Sequence, residues 1–271
     1  MFIQLFINFD INEQLSLLEQ FFIFFTSFLS NIFSAIAGGG AGLIQLPVLL
    51  LFGLPYSNAL ASHKLATVAL GLGGTLRNSL SIKNNIYLVI ELLIFGIPGV
   101  LLGTMLINFL SEDLLYFLLS IFSIFIGLYS YLKPNFGLMS VRKDLSIQSK
   151  GLFYFLVFII GILNGSISSG TGLMVTILLV KLIGLDFLNA ISLTFLTVGI
   201  FWNATGGIVL SRVGSFQTNI LLLLLIGSFS GGYVGAHLSN LKGNKLIKNF
   251  FTTVSLLIGF SLLLKAFKIL N

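Results

Sequence analysis

In a chain of 271 residues, 56% hydrophobic residues and 8% charged ones, at a mean hydropathy of +1.08, leave too little polar surface to clothe a water-soluble domain. The excess of 14 Lys and Arg over 8 Asp and Glu, a formal charge of +6, falls mostly between apolar segments and reads as a topology signal, not as a nucleic-acid footprint. With no cysteine and only two histidines, disulfides, thiolate chemistry and a histidine- or cysteine-built metal centre are excluded, and no cofactor or catalytic residue is expected.

The start, Met1 to Phe6, lacks the basic region of a signal peptide and is followed by Asp10, Glu13 and Glu19, so it reads as mature sequence. Apolar runs that approach or span a core of about 30 Å lie near 15–37, 59–77, 86–108 and 114–132, then near 151–167, 187–210, 218–238 and 246–267. Two shorter runs, 43–54 and 173–185, directly follow the breaks Gly38-Gly39-Gly40-Ala41-Gly42 and Ser168-Ser169-Gly170-Thr171-Gly172, and suit half-helices. The expectation is an all-α, polytopic integral membrane protein of about eight to ten segments, with 1–271 as one membrane domain.

An internal match runs through the chain. Gly40 and Gly170 are 130 residues apart, Asn58-Ala59 and Asn189-Ala190 are 131 apart, and Gly103-Thr104-Met105-Leu106 and Gly235-Ala236-His237-Leu238 are 132 apart. Three anchors in one order define two repeats, 15–132 and 151–268, around a linker at 133–150. Positive loops prefer the cytoplasm, which places the linker, with Lys133, Arg142, Lys143 and Lys150, and the 77–85 loop, with Arg77 and Lys83, inside. Glu112 and Asp113 then turn outside. Five crossings per half invert the second repeat and put Lys242, Lys245 and Lys248 inside, although Lys265 and Lys268 fall outside against the rule.

Inside hydrocarbon, a helix can break only where it is buried in protein or lines a wet cavity. The helix restarting after Gly38, Gly39, Gly40 and Gly42, or after Gly170 and Gly172, offers free N–H groups to an anion. Ser168, Ser169 and Thr171 add hydroxyls, and Gln45 an amide; the alternative is that these glycines only let helices pack closely. Lys64 lies in an apparent span, where an ammonium costs about 2.5–3.5 kcal/mol, so it needs an anion, a carbonyl or water nearby, a need that a substrate anion would meet, or it snorkels to the interface. Its neighbour His63 points about 100° away on a helix and is the weaker candidate. Asn203, with Thr205, Gly206 and Gly207, matches Gly73, Gly74, Thr75 and Asn78, and either lines a path or joins helices. Glu91 is the one acid clearly inside a span, but its counterpart Leu223 is apolar. No P-loop follows Gly42.

The segments from Gly38 to Ile44 with Pro47, Gly53-Leu54-Pro55, and Asn58 to Leu65 resemble the TauE/SafE family of sulfite and organosulfonate exporters over nearly the whole chain. The resemblance implies a permease of two related halves, with the glycine motif at Gly38, Gly39, Gly40 and Gly42 and at Gly170 and Gly172. Ser168 and Ser169 stand where the family pattern has glycines, and Thr176 or Ile177 where it has proline. Sulfite is implied by the family; an anion is supported independently by the breaks and Lys64. The resulting expectation is a secondary transporter in the inner plasma membrane, moving a small anion by alternating access at a midplane site. A passive anion or small-solute channel is the alternative. A membrane-embedded enzyme would need a convergent set of acids and histidines, and the spans offer only Glu91, His63 and His237. The partners expected are the anion and the lipid bilayer, without nucleic acid; a homodimer is compatible with the chain.

Overall fold

The computed structural model describes residues 16–52, 54, 56–106, 112–143, 145–211 and 218–267. Asp10, Glu13, Gly53, Pro55 and Lys268 therefore lie outside the described residues. Helix α1 (Leu17–Ala37) opens with a reciprocal cap, in which Glu19 N donates to Ser16 Oγ at 3.3 Å and Ser16 N donates to Glu19 Oε2 at 2.8 Å. It ends at Gly38 with φ 86°. There follow α2 (Gly42–Leu51), α3 (Tyr56–Arg77), α4 (Ser79–Lys83), α5 (Ile86–Leu106) and α6 (Glu112–Leu132).

The second half begins with α7 (Ile147–Ser166), a break, and α8 (Thr171–Leu178), which widens into a π-helical turn, Leu179–Ile183. Next comes α9 (Phe187–Thr194), continuing through a π-helical stretch, Phe195–Trp202, into α10 (Asn203–Ser211). The helical run Thr218–Ala266 is divided by Gly243 (φ 72°, ψ −175°) into α11 (218–242) and α12 (244–266). Among the described residues all regular structure is helical, as an all-α polytopic membrane protein requires.

Among the described residues five helical runs are long and apolar enough to cross a bilayer by themselves: Leu17–Ala37, Ile86–Leu106, Ile147–Ser166, Phe187–Ser211 and Ile220–Leu264. Part of the difference from the larger expected number has physical causes. The last run holds two helices joined at Gly243, and α2 and α8 are short. Helix α3 has the length to span, but His63 and Lys64, both buried, lower its hydropathy.

Packing is reciprocal between halves: α1 lies along α11, and α7 lies along α5. Gly227, Gly231 and Gly235 of α11 press on the backbone carbonyls of Phe24, Phe28 and Ile32 in α1. Gly99 and Gly103 of α5 meet the carbonyls of Phe158 and Ile162 in α7, while Gly161 and Gly165 meet those of Gly96 and Val100. Small residues at four-residue spacing allow this approach. Gly161→Val is expected to cost about 1–3 kcal/mol through overpacking, read as a lower unfolding midpoint in detergent; an unchanged midpoint would mean that α5 and α7 do not sit this close.

The linker is shorter than 133–150, because α7 begins at Ile147 with Ser146 as its cap. It is also tied down: Val141 N donates to Gly184 O at 2.7 Å, Lys143 N to Ile183 O at 3.0 Å, and Phe187 N to Gly137 O at 2.9 Å. Lys248 Nζ and Asn244 Nδ2 add bonds to the carbonyls of Pro134 and Leu138 at 2.9 and 3.1 Å.

Candidate binding cavity at the meeting of the two breaks

Three successive positive φ values, 86° at Gly38, 151° at Gly39 and 103° at Gly40, turn the chain out of α1 and into α2. Only glycine adopts such a run without strain. The N–H groups of Gly38 and Gly39 both donate to Ser34 O, at 2.8 and 2.9 Å, and so close the end of α1. In the second half the equivalent turn uses Ser168 (φ 68°) and Gly170 (φ 82°), and Thr171 Oγ1 donates to Ser168 O at 2.7 Å. No side chain caps the first turn of α8. Its N–H groups are therefore the kind that seeks an anion or water.

The two breaks touch backbone to backbone. A Cβ on Gly39 would lie 2.7 Å from Leu173 N and 3.0 Å from Gly172 Cα, and one on Gly172 would lie 2.9 Å from Gly38 O. Around this contact is a cavity of about 50 Å³, walled by Gly38–Gly42 and Ser168–Gly172, with Ser34, His63, Thr67 and Leu70 from the first half and Thr194, Phe195, Val198, Gly199 and Asn203 from the second. At 10–15 Å³ per water, that holds about four water-sized groups.

Of the residues the sequence singles out, Gly38, Gly39, Gly40, Gly42, Ser168, Ser169, Gly170, Thr171, Gly172 and Asn203 all line this cavity. Gln45 and Lys64 stand one layer behind it. His63 takes the wall position instead: its Nδ1 is 2.7 Å from Gln45 Oε1, and Gln45 Nε2 donates to Ser27 Oγ at 2.9 Å. With the Gln45 oxygen facing it, His63 donates from Nδ1 and turns Nε2 toward Gly42, beside the Ser169 hydroxyl. Ser228 Oγ and Asn31 Nδ2, 2.9 Å apart, extend the same buried network between α1 and α11.

Lys64 does not snorkel, since it is fully buried with its stem against Gly206. Among the described residues its ammonium is met by oxygens of Asn164, O at 2.5 Å and Oδ1 at 3.3 Å, not by a carboxylate. Asn164 Nδ2 in turn donates to Thr171 Oγ1 at 2.9 Å and to Asn203 Oδ1 at 3.2 Å. Lysine charge thus reaches the cavity wall through one asparagine. Glu91 sits elsewhere, accepting from Tyr154 OH at 3.1 Å on the α5–α7 pair, and Thr205 Oγ1 turns back to Phe201 O at 2.8 Å.

Residue-by-residue reading of the motifs misses Thr67, Thr194 and the π-helical wall at Phe195, Val198 and Gly199. The repeat offset holds the signal for Thr194. Adding 131 to His63 gives Thr194, and adding it to Gln45 gives Thr176; Thr176 Oγ1 and Thr194 Oγ1 lie 3.1 Å apart. Each half therefore ties its short helix to the next long one by a polar pair at equivalent positions.

The family model described as sulfite exporter TauE/SafE matches residues 23–262 of the chain. The chain belongs to that family. Among curated proteins it is similar to the probable membrane transporter protein ORF9 of Sinorhizobium sp, 32% identical over 252 residues that cover 89% of this chain and 91% of the relative. It is 28% identical to the probable membrane transporter protein YfcA of Escherichia coli K12, over 89% of this chain and 88% of that one. The probable membrane transporter protein YdhB of Bacillus subtilis is 27% identical over 87% and 96% of the two chains. No solved structure matches. The TauE/SafE match spans both breaks and every residue named above as lining the cavity.

Proposed function

We propose that this TauE/SafE-family chain is a multi-pass transporter of the plasma membrane that moves a small anion, sulfite or an organosulfonate, by alternating access around the cavity between the breaks. The observation that carries the reading is that two breaks 130 residues apart in sequence wall one small space. Backbone N–H groups at the start of α8 and the hydroxyl of Ser169 supply donors for an oxyanion, while the protons of Ser168, Thr171 and Thr194 go to Asn203 Oδ1, Ser168 O and Ala190 O. Among the described residues no carboxylate lines the cavity to repel it, and Lys64 supplies positive charge through Asn164. The relatives' names as membrane transporters support the same class.

Reciprocal packing of α1 on α11 and α7 on α5 fits two inverted halves that rock about this centre. The chain reconstituted in liposomes is expected to accumulate sulfite against its gradient under an imposed pH gradient, with a sulfonate competing and acetate not. Dissipative flux alone would make it a channel, and absence of flux for every sulfur oxyanion would remove the substrate reading.

A further inference from the structure

The hydrogen bonds behind His63 run in one direction. Leu224 O, a backbone carbonyl of α11, can only accept, and it takes the proton of Ser27 Oγ at 2.9 Å. Ser27 Oγ is left with lone pairs, so the Gln45 amide turns Nε2 to it, at 2.9 Å, and Oε1 to His63. Oε1 has no proton to give, so His63 Nδ1 supplies the one between them, at 2.7 Å. On a neutral imidazole the free lone pair then sits on Nε2, at the cavity wall.

That lone pair is out of keeping with its surroundings. His63 is buried, and among the described residues Nε2 has no hydrogen-bond partner. A methyl on Gly42 would lie 2.7 Å from Nε2 and against Ser169 Oγ, so both atoms look onto one point. An oxyanion seated there finds donors at the start of α8 and at Ser169, but at Nε2 it sets lone pair against lone pair. Water has no room to stand between them: the cavity holds about four water-sized groups, and sulfite has as many non-hydrogen atoms.

We infer that His63 is the proton site of the cavity, where one proton enters with each anion and lies between a cargo oxygen and Nε2. The anion rests on the transport reading above; the proton rests on the direction of the hydrogen-bond chain. Hydrogen sulfite brings the proton on its own O–H. A sulfonate has none, so Nε2 takes one from the medium, becomes N–H and donates it to a sulfonate oxygen. The other half adds no second site, since the residue equivalent to His63 is Thr194, whose proton goes to Ala190 O at 3.0 Å. Around His63, α1, α2 and α11 bring Ser34, Gln45 and Ser228, and the second break brings Ser169. Among the described residues no carboxylate lines the cavity, and the ionisable neighbour of His63 is Lys64, the next residue of α3.

The full-length protein in detergent is titrated with methanesulfonate, which has no titrating proton near neutrality, so every proton counted belongs to the protein. Calorimetry in two buffers of unlike ionisation enthalpy gives the count. About one proton taken up per anion is expected above neutral pH, with an apparent affinity that falls by about tenfold per pH unit. Sulfite at mildly alkaline pH, where its dianion prevails, is expected to give the same count. Lys64→Arg, whose charge does not titrate, is expected to keep the count, and His63→Gln, which hydrogen-bonds without titrating, to lose it. If His63→Gln does not fold, the Lys64→Arg count decides, because His63 is then the titratable side chain left at the cavity. A count that vanishes in Lys64→Arg, or persists in His63→Gln, gives the proton to another group and overturns the assignment. Binding of either anion without proton uptake overturns the assignment alone, whereas binding of neither removes the transport reading with it.

Discussion

Lys64→Met is expected to lower anion flux at subsaturating concentration at least about tenfold, equivalent to about 1.4 kcal/mol of binding, while the protein still inserts and purifies. Removing the ammonium relieves its burial cost but strips two oxygens of Asn164 of their donor. The burial cost of about 2.5–3.5 kcal/mol opposes about 1–3 kcal/mol for each orphaned oxygen, so stability changes little. Function has no such compensation: the positive charge nearest the cavity is gone, and Asn164 is freed to turn away from Thr171 and Asn203. The loss belongs in apparent affinity more than in maximal rate. Uptake kinetics in proteoliposomes check this, with Lys64→Arg as a charge-keeping comparison, and unchanged kinetics for Lys64→Met would take Lys64 out of the site.

Gly39→Ala is expected to abolish transport and to destabilise the fold more than Gly170→Ala. Both positions have positive φ, 151° and 82°, so both alanines carry backbone strain of about 1–3 kcal/mol. They differ in what the new methyl meets. At Gly170 nothing lies within 4 Å, while at Gly39 the methyl lands 2.7 Å from Leu173 N, a backbone atom of the other half that cannot rotate aside. Separating the breaks adds about 1–3 kcal/mol of overpacking and enlarges the cavity they define. Unfolding midpoints and flux for the pair measure the difference; equal behaviour of the two alanines would show that the halves do not touch here.

Much of this architecture is written locally in the chain. Apolar runs of span length give the helices, the glycine clusters give the breaks, and offsets of 130 to 132 residues anticipate that corresponding elements recur. The roles of His63 and Lys64 are not legible in the same way. Helical geometry says that they point about 100° apart, but α3 is enclosed at this level, with His63 1% and Lys64 0% exposed, so no contrast between polar and apolar sides orients it. Gln45 has the right neighbourhood but acts on His63 instead of facing the cavity. The wall at Phe195, Val198 and Gly199 was hidden for another reason: a π-helical stretch shifts which residues share a side, and an α-helical count places them wrongly.

The polar pairs at equivalent positions are not the same pair. One half offers an imidazole held by an amide, His63 with Gln45, and the other offers two hydroxyls, Thr194 with Thr176. On the proposed reading, a cargo in the cavity would meet chemically unlike neighbours on its two flanks, even though a glycine-containing break walls it on each side. For an anion whose oxygens are interchangeable, such handedness is immaterial. A sulfonate, with oxygens at one end and carbon at the other, has a preferred way round, and selectivity among such cargoes can be retuned on one flank while the glycine junction stays as it is.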